Sequence, residues 1–153
     1  TICCTGIRIS ELKHITMESV QTGKAVIRCK GKIRVILLSE ELCVQLKMYA
    51  REQGITEGII FRTGSGKPVD RSNIWRQMKA LSVEAGVSEE KVYPHSLRHL
   101  FARTFYEEGK DLAKLADVLG HKDVNTTRRH YAALEDERRR KAAGVVKLRE
   151  ETE

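Results

Sequence analysis

The chain has 153 residues, 41% of them hydrophobic, enough for one domain with a buried core and too apolar for a disordered segment. No apolar run approaches the roughly 18 residues that span a bilayer, so no membrane segment is expected. A net charge of +7 and a pI of about 9.4 favour a polyanionic partner, nucleic acid first.

Thr1, not Met, opens the chain, and the first phrase, TICCTGIRISEL, begins with an uncapped apolar run. A fragment with further chain upstream is therefore expected. RISELKHI reads as a short helix. KAVIRCK and IRVILLS read as two strands rich in β-branched residues, joined by a tight turn around Gly31. Ser39 is placed to cap the next helix, with Glu40 and Glu41 in its first turn. Leu42, Leu46 and Tyr49 form its apolar stripe, and Gly54 ends it.

GIIFRTGSGKPVD reads as a third short strand and a loop. Its Gly-Ser-Gly-Lys lacks the GxxxxGK[ST] spacing of a phosphate loop and is read as a plain connection. Asp70 can cap a helix whose apolar face is Ile74, Met78, Leu81 and Ala85. VYPHSLRHLFARTFYEEG starts a helix just after Pro94, with Leu97, Phe101 and Phe105 inward. Asp111 caps LAKLADVL, which Gly120 closes. A last helix is expected through the tail, where residues 135–153 carry six basic and six acidic side chains. The positive excess therefore lies in residues 1–134. The fold class is α+β: mostly helical, with a small antiparallel sheet of three strands.

Cys3, Cys4, Cys29 and Cys43 form no CxxC pair and stand beside apolar residues. They are expected as small buried hydrophobes in a reducing cytosol, not as a zinc site.

Six polar positions do not fit a core. Arg8 sits at a helix start. His95 and Arg98 are three residues apart, on one helix face. His121 follows Gly120 at a helix end, and Tyr131 follows ten residues later. Lys30 or Lys32 marks the hairpin tip. Singly, each has an ordinary reading as a surface charge, a cap or a core ring. Together they compose a set for phosphoryl transfer. Two arginines can clamp the non-bridging oxygens of a phosphodiester and stabilise a pentavalent transition state. Histidines move protons near neutral pH. A lysine can protonate a leaving 5′ oxygen, and a tyrosine phenol can attack phosphorus. No carboxylate cluster accompanies them, so no two-metal centre and no cofactor are expected.

TGIRISEL, PHSLRHLFA and LGHKDVNTTRRHY, in this order, resemble the three signature boxes of the tyrosine recombinases, the phage-integrase family. The resemblance runs across nearly the whole chain. It implies the catalytic domain of an enzyme that cleaves and rejoins duplex DNA at specific sites without metal. Arg8 and Arg98 would be the phosphate clamp, His95 would assist proton transfer at the tyrosine, and His121 would hydrogen-bond the scissile phosphate. Tyr131 would be the nucleophile that forms a 3′-phosphotyrosyl link. The lysine aligns with Lys30, with Lys32 the alternative. Lys32, Arg128, Arg129 and His130 are further candidates for contact with DNA.

The resemblance also implies residues 1–134 as a catalytic domain truncated at its N-terminus, with a DNA-binding domain upstream. Residues 135–153 would be a helical tail that docks on a neighbouring subunit, with four protomers on DNA in the full-length, cytoplasmic protein. The competing readings are a non-catalytic DNA-binding relic or regulator and a type IB topoisomerase. A relic would have lost Arg8, Arg98 or Tyr131, and all three are present. The LGHKDVNTT phrase argues against the topoisomerase.

Overall fold

The protein is described from a computed structural model covering residues 1–29, 31–121, 123–125, 127–129 and 131, with the backbone alone described at Cys29 and Lys32. The chain divides into two units, Thr1–Lys110 and Asp111–Glu153. Among the described residues no helix is long and apolar enough to cross a membrane. The expected helical tail and the boundary at 134 lie outside the described residues.

The first unit opens with a short helix that the residue pattern does not announce, α1 (Ile2–Thr5), ended by Gly6 in a left-handed conformation, φ 65°. Glycine bears that backbone angle without the Cβ penalty other residues meet. RISELKHI forms the expected short helix, in 3₁₀ form, over Ile9–His14. A second unanticipated helix, α2 (Met17–Thr22), is set by a reciprocal cap: Ser19 N–H donates to Thr16 Oγ1 and Thr16 N–H to Ser19 Oγ.

The hairpin is as the alternation predicts. β1 (Lys24–Cys29) pairs antiparallel with β2 (Lys32–Leu37), Cys29 opposite Lys32, leaving a two-residue turn with Gly31 at φ 76°. Ala25, Ile27 and Ile36 face the core, while Val26, Ile33, Val35 and Leu37 face outward. The expected third strand does not join this sheet. Ile59 and Arg62 make isolated bridges, to Thr16 and Pro68 respectively. Ile60 N–H donates to Ile15 O, and Met17 N–H to Gly58 O, so the segment pairs with the entry to α2. The chain bends at Gly58 before a ladder can extend, and among the described residues the regular sheet has two strands.

Ser39 caps α3 (Glu40–Glu52), its Oγ accepting from Leu42 N–H. The buried stripe is Leu42, Cys43, Leu46 and Ala50, and Tyr49 is exposed instead, resting against Phe61 at 6.0 Å. Asp70 caps α4 (Arg71–Glu84) through Asn73 N–H. Its expected apolar face is not covered: Leu81 is 62% exposed, Ala85 is exposed, and Ile74 and Met78 are half-buried. That face borders an open groove of about 640 Å³, also lined by Ile2, Leu12, Phe61 and Leu97.

Pro94 opens α5 (Pro94–Gly109). Its buried positions are Arg98, Ala102 and Tyr106, with Phe101 and Phe105 half-buried. The inward stripe is thus rotated one residue from Leu97, Phe101 and Phe105. The core joins Ile7, Leu12, Ile15, Val20, Ile27 and Ile60 of this unit, with Leu97 packed against it. Cys43 is buried there, but Cys3 and Cys4 are exposed. Ile2 and Thr5 form the inner side of α1, which packs on α5. At about 100° per residue, positions 3 and 4 must then point outward.

In the second unit, Asp111 caps α6 (Leu112–Leu119) by accepting from Ala113 and Lys114 N–H, and Gly120 closes it at φ 63°. Leu115, Ala116 and Leu119 are its buried face. Residues 127–129 and 131 are also helical.

Candidate active site

Of the candidate residues, Arg8, His95 and Arg98 belong to the first unit and His121 and Tyr131 to the second. Arg8 directly precedes the 3₁₀ turn Ile9–His14 and keeps an extended backbone, φ −78° and ψ 150°. Its N–H donates to Glu11 Oε2 at 2.7 Å, and its Nη1 meets Glu11 Oε1 at 3.2 Å. The Glu11 side chain is buried, whereas that of Arg8 is 40% exposed. The carboxylate thus holds the arginine at its root and at its guanidinium, while leaving the side chain in reach of solvent.

Arg98 sits on the inward side of α5 and is 5% exposed. Its Nη1 donates to the backbone carbonyl of Gly6, two residues before Arg8. The packing of α1 on α5 creates this contact. The first and second boxes, ninety residues apart in the chain, therefore meet at one point. A buried guanidinium requires such a partner, since an ion taken from water without one is costly.

His95 lies in the first turn of α5 and is exposed. It stacks edge-on against His99, ring centroids 4.4 Å apart at 82°. The i,i+4 spacing of an α-helix places the two rings side by side, so His99 restrains the orientation of His95.

In the second unit, His121 follows the left-handed cap Gly120 and is half-buried. Its Nδ1 lies 2.7 Å from Thr127 Oγ1, and Thr127 is fully buried. Thr127 and Tyr131, four residues apart on one helical face, are both buried, and Arg128 and Arg129 are exposed. The same helical turn that buries the tyrosine therefore supplies the hydroxyl that fixes the histidine ring. With Nδ1 engaged, Nε2 is the nitrogen directed away from Thr127.

Lys30 and His130 lie outside the described residues. Lys32 begins β2, adjacent to the turn, so both lysine candidates belong to the same hairpin. Three residues with a part in this geometry were not singled out from the sequence: Glu11, Arg34 and Thr127. Arg34 Nη2 meets Glu11 Oε2 at 2.6 Å, from a core-facing position opposite Ile27. Strand alternation was the available signal, because it puts Arg34 on the same face as Ile36.

The model of the phage integrase family matches residues 2–138. The chain is 35% identical to tyrosine recombinase XerD of Proteus mirabilis over 131 residues, 80% of this chain and 42% of that protein. It is 34% identical to XerD of Staphylococcus aureus over 133 residues, 80% of this chain and 44% of that protein. It thus spans less than half the length of these curated relatives. The fold is similar to the crystal structure of XerH site-specific recombinase bound to palindromic difH substrate in a post-cleavage complex. The TM-score is 0.76 at 27% identity, over 94% of this chain and 43% of that one. The family match takes in every box in which the resemblance was read, and its relatives are recombinases; the chain belongs to the phage integrase family of tyrosine recombinases.

Proposed function

We propose that this chain is the catalytic part of a site-specific DNA recombinase that cleaves and rejoins duplex DNA through its own tyrosine. The observation that carries the reading is the meeting of the first two boxes. Arg98 is anchored on the Gly6 carbonyl, and Arg8 stands two residues on, held by Glu11. Two arginines rooted within two residues of one contact suit the clamping of one phosphodiester.

In the proposed step the phenol oxygen of Tyr131 attacks phosphorus and its proton passes to a base, with His95 assisting. The bond from phosphorus to the 5′ oxygen breaks. The hairpin lysine, Lys30 or Lys32, protonates that oxygen, and a 5′-hydroxyl strand leaves. The 3′-phosphotyrosyl bond keeps the energy of the phosphodiester, so a 5′-hydroxyl can reverse the step and join a new strand without a nucleotide. Arg8 and Arg98 offset the charge that builds on the non-bridging oxygens, and His121 donates a hydrogen bond to the same group. Protonated bases and fixed cations supply the charge stabilisation, so the reaction proceeds without metal. Lys32, Arg128, Arg129 and His130 contact the DNA backbone. Residues 1–134 act as the catalytic domain, and residues 135–153 dock on a neighbouring protomer in a tetramer.

The test is a suicide duplex, nicked beside the cleavage point so that the 5′-hydroxyl fragment diffuses away. The site is first selected by binding from a randomised library. Full-length protein and its Tyr131→Phe form are incubated with it in EDTA. A covalent adduct on a denaturing gel for the wild type alone is expected. An adduct from Tyr131→Phe would remove the nucleophile assignment. Binding without an adduct from either form would favour a non-catalytic DNA-binding protein.

A further inference from the structure

Glu11 is one of the few buried charged residues among those described, and it is shared by two arginines from different elements. Its Oε1 takes Arg8 Nη1 at 3.2 Å, and its Oε2 takes both Arg8 N–H at 2.7 Å and Arg34 Nη2 at 2.6 Å. The side chains of Glu11 and Arg34 are 5% and 15% exposed, against 40% for Arg8. Arg34 is two residues from Lys32 and stands across from Ile27 in the hairpin.

We infer that Arg34 is a positioning residue for the phosphate clamp: through the Glu11 carboxylate it fixes Arg8 and ties it to the hairpin that carries Lys30 and Lys32. The inference rests on the recombinase reading for its catalytic consequence, and on geometry alone for the coupling.

The physical case has three parts. A carboxylate with a single arginine partner keeps rotational freedom. One held at Oε2 by a second guanidinium, at a charge-assisted distance, does not. Burial strengthens both pairs, because water does not compete well at Glu11. Arg34 itself comes from a strand whose register is set by core residues, Ala25, Ile27 and Ile36. The rigid hairpin therefore transmits its position to Arg8 through one shared side chain. Arg8 must meet a phosphate whose leaving oxygen is served by a lysine of the same hairpin. Fixing the arginine to that hairpin keeps clamp and acid in register, and displacements of an ångström at such a site cost about a hundredfold in rate. Arg34 fits this role better than that of a DNA contact, since its guanidinium is mostly buried and pointed at a carboxylate.

The experiment uses full-length protein with Arg34→Lys, Arg34→Met and Glu11→Gln, and each of these combined with Arg8→Ala. The first readout needs no activity: the side-chain Nε–H resonance of Arg8 in protein labelled at arginine. It is expected to move in Arg34→Lys, which keeps charge and fold; an unmoved resonance overturns the coupling. The second readout is single-turnover cleavage of the suicide duplex at saturating protein. Arg34→Met and Glu11→Gln are expected to lose about a hundredfold, with the DNA dissociation constant changed less than about threefold, and Arg34→Lys to recover part of the loss.

The third readout replaces one non-bridging oxygen of the scissile phosphate by methyl. The neutral methylphosphonate asks less of an arginine clamp, so the Arg8→Ala and Arg34→Met penalties are both expected to shrink with it. In the Arg8→Ala background Arg34→Met is expected to add little. Equal penalties on both substrates, or full additivity with Arg8→Ala, would mean that Arg34 only stabilises the fold. Absence of any wild-type adduct would overturn the recombinase reading, and the Arg8 resonance would still decide the coupling.

Discussion

Arg98, on the buried face of α5, donates from Nη1 to the carbonyl of Gly6, the left-handed residue that closes α1. One hydrogen bond thus joins a helix interior to a loop start ninety-two positions away, and Arg8 follows two residues later. Gly6 at φ 65° is a position where a Cβ is costly. Gly6→Ala is expected to destabilise the protein by roughly 1–2 kcal/mol. Arg98→Met, which leaves the carbonyl without its charged donor, should cost about 1–3 kcal/mol. Urea unfolding midpoints check both. A Gly6→Ala protein of unchanged stability would mean that the loop finds another conformation.

The His121–Thr127 contact yields a second expectation. Thr127 is fully buried and its Oγ1 lies 2.7 Å from His121 Nδ1. Thr127→Val keeps the volume and removes the hydroxyl, so it should cost about 1–2 kcal/mol. In the recombinase reading it should also slow single-turnover cleavage while leaving DNA binding unchanged, because the ring loses its fixed orientation. Thr127→Ser retains the hydroxyl and should cleave faster than Thr127→Val. Equal rates for the two would show that the contact does not orient His121.

The register of the hairpin predicts an alternation in mutational cost. Ile36 is 4% exposed and Val35 is 55% exposed, one residue apart on β2. Ile36→Ala should cost about 2–5 kcal/mol. Val35→Thr, on the outer face, should stay within about 0.5 kcal/mol. Thermal or urea denaturation of the pair decides it, and reversed costs would mean a strand slipped by one residue.

Asp111 predicts a pH dependence at the start of α6. The N–H of Lys114 holds its carboxyl below the ordinary aspartate value of 3.8, and the Ala113 N–H acts in the same direction. A lowered folded value means that the cap stabilises the helix above the unfolded aspartate range. The contribution is lost as pH falls through the lowered value. The Asp111 carboxyl resonance should therefore titrate below 3.8, and Asp111→Asn should keep the cap and remove the dependence. A midpoint at or above the ordinary value would show that the cap does not form in solution.

Much of this fold was legible because its signals are local. Ser39, Asp70 and Asp111 cap helices where a short acceptor precedes an apolar period, and Gly120 ends one. The hairpin showed itself by alternation and by Gly31. The helices α1 and α2 were missed because four and six residues are too short to carry a period. In α5 the apolar pattern pointed to Leu97, Phe101 and Phe105, yet the buried line is Arg98, Ala102 and Tyr106. A charged residue reads as surface until a partner is found for it, and that partner is a backbone carbonyl with no sequence signature. Cys3 and Cys4 looked apolar in context and are exposed, because a four-residue helix buries one side only.

By itself the sequence determined the residue types of the chemistry, their order, the family boxes that hold them, and the α+β class. Those depend on side-chain identity and on spacing within a few residues, which a chain displays directly. Only the tertiary structure decided that Gly6 and Arg98 meet, and that Glu11 is shared by Arg8 and Arg34. It also decided that the expected third strand pairs with the entry to α2 in place of the hairpin. Each is a contact between distant parts of the chain, set by how apolar faces pack and by where buried polar groups find partners. None of the three is written in the local pattern of the residues concerned.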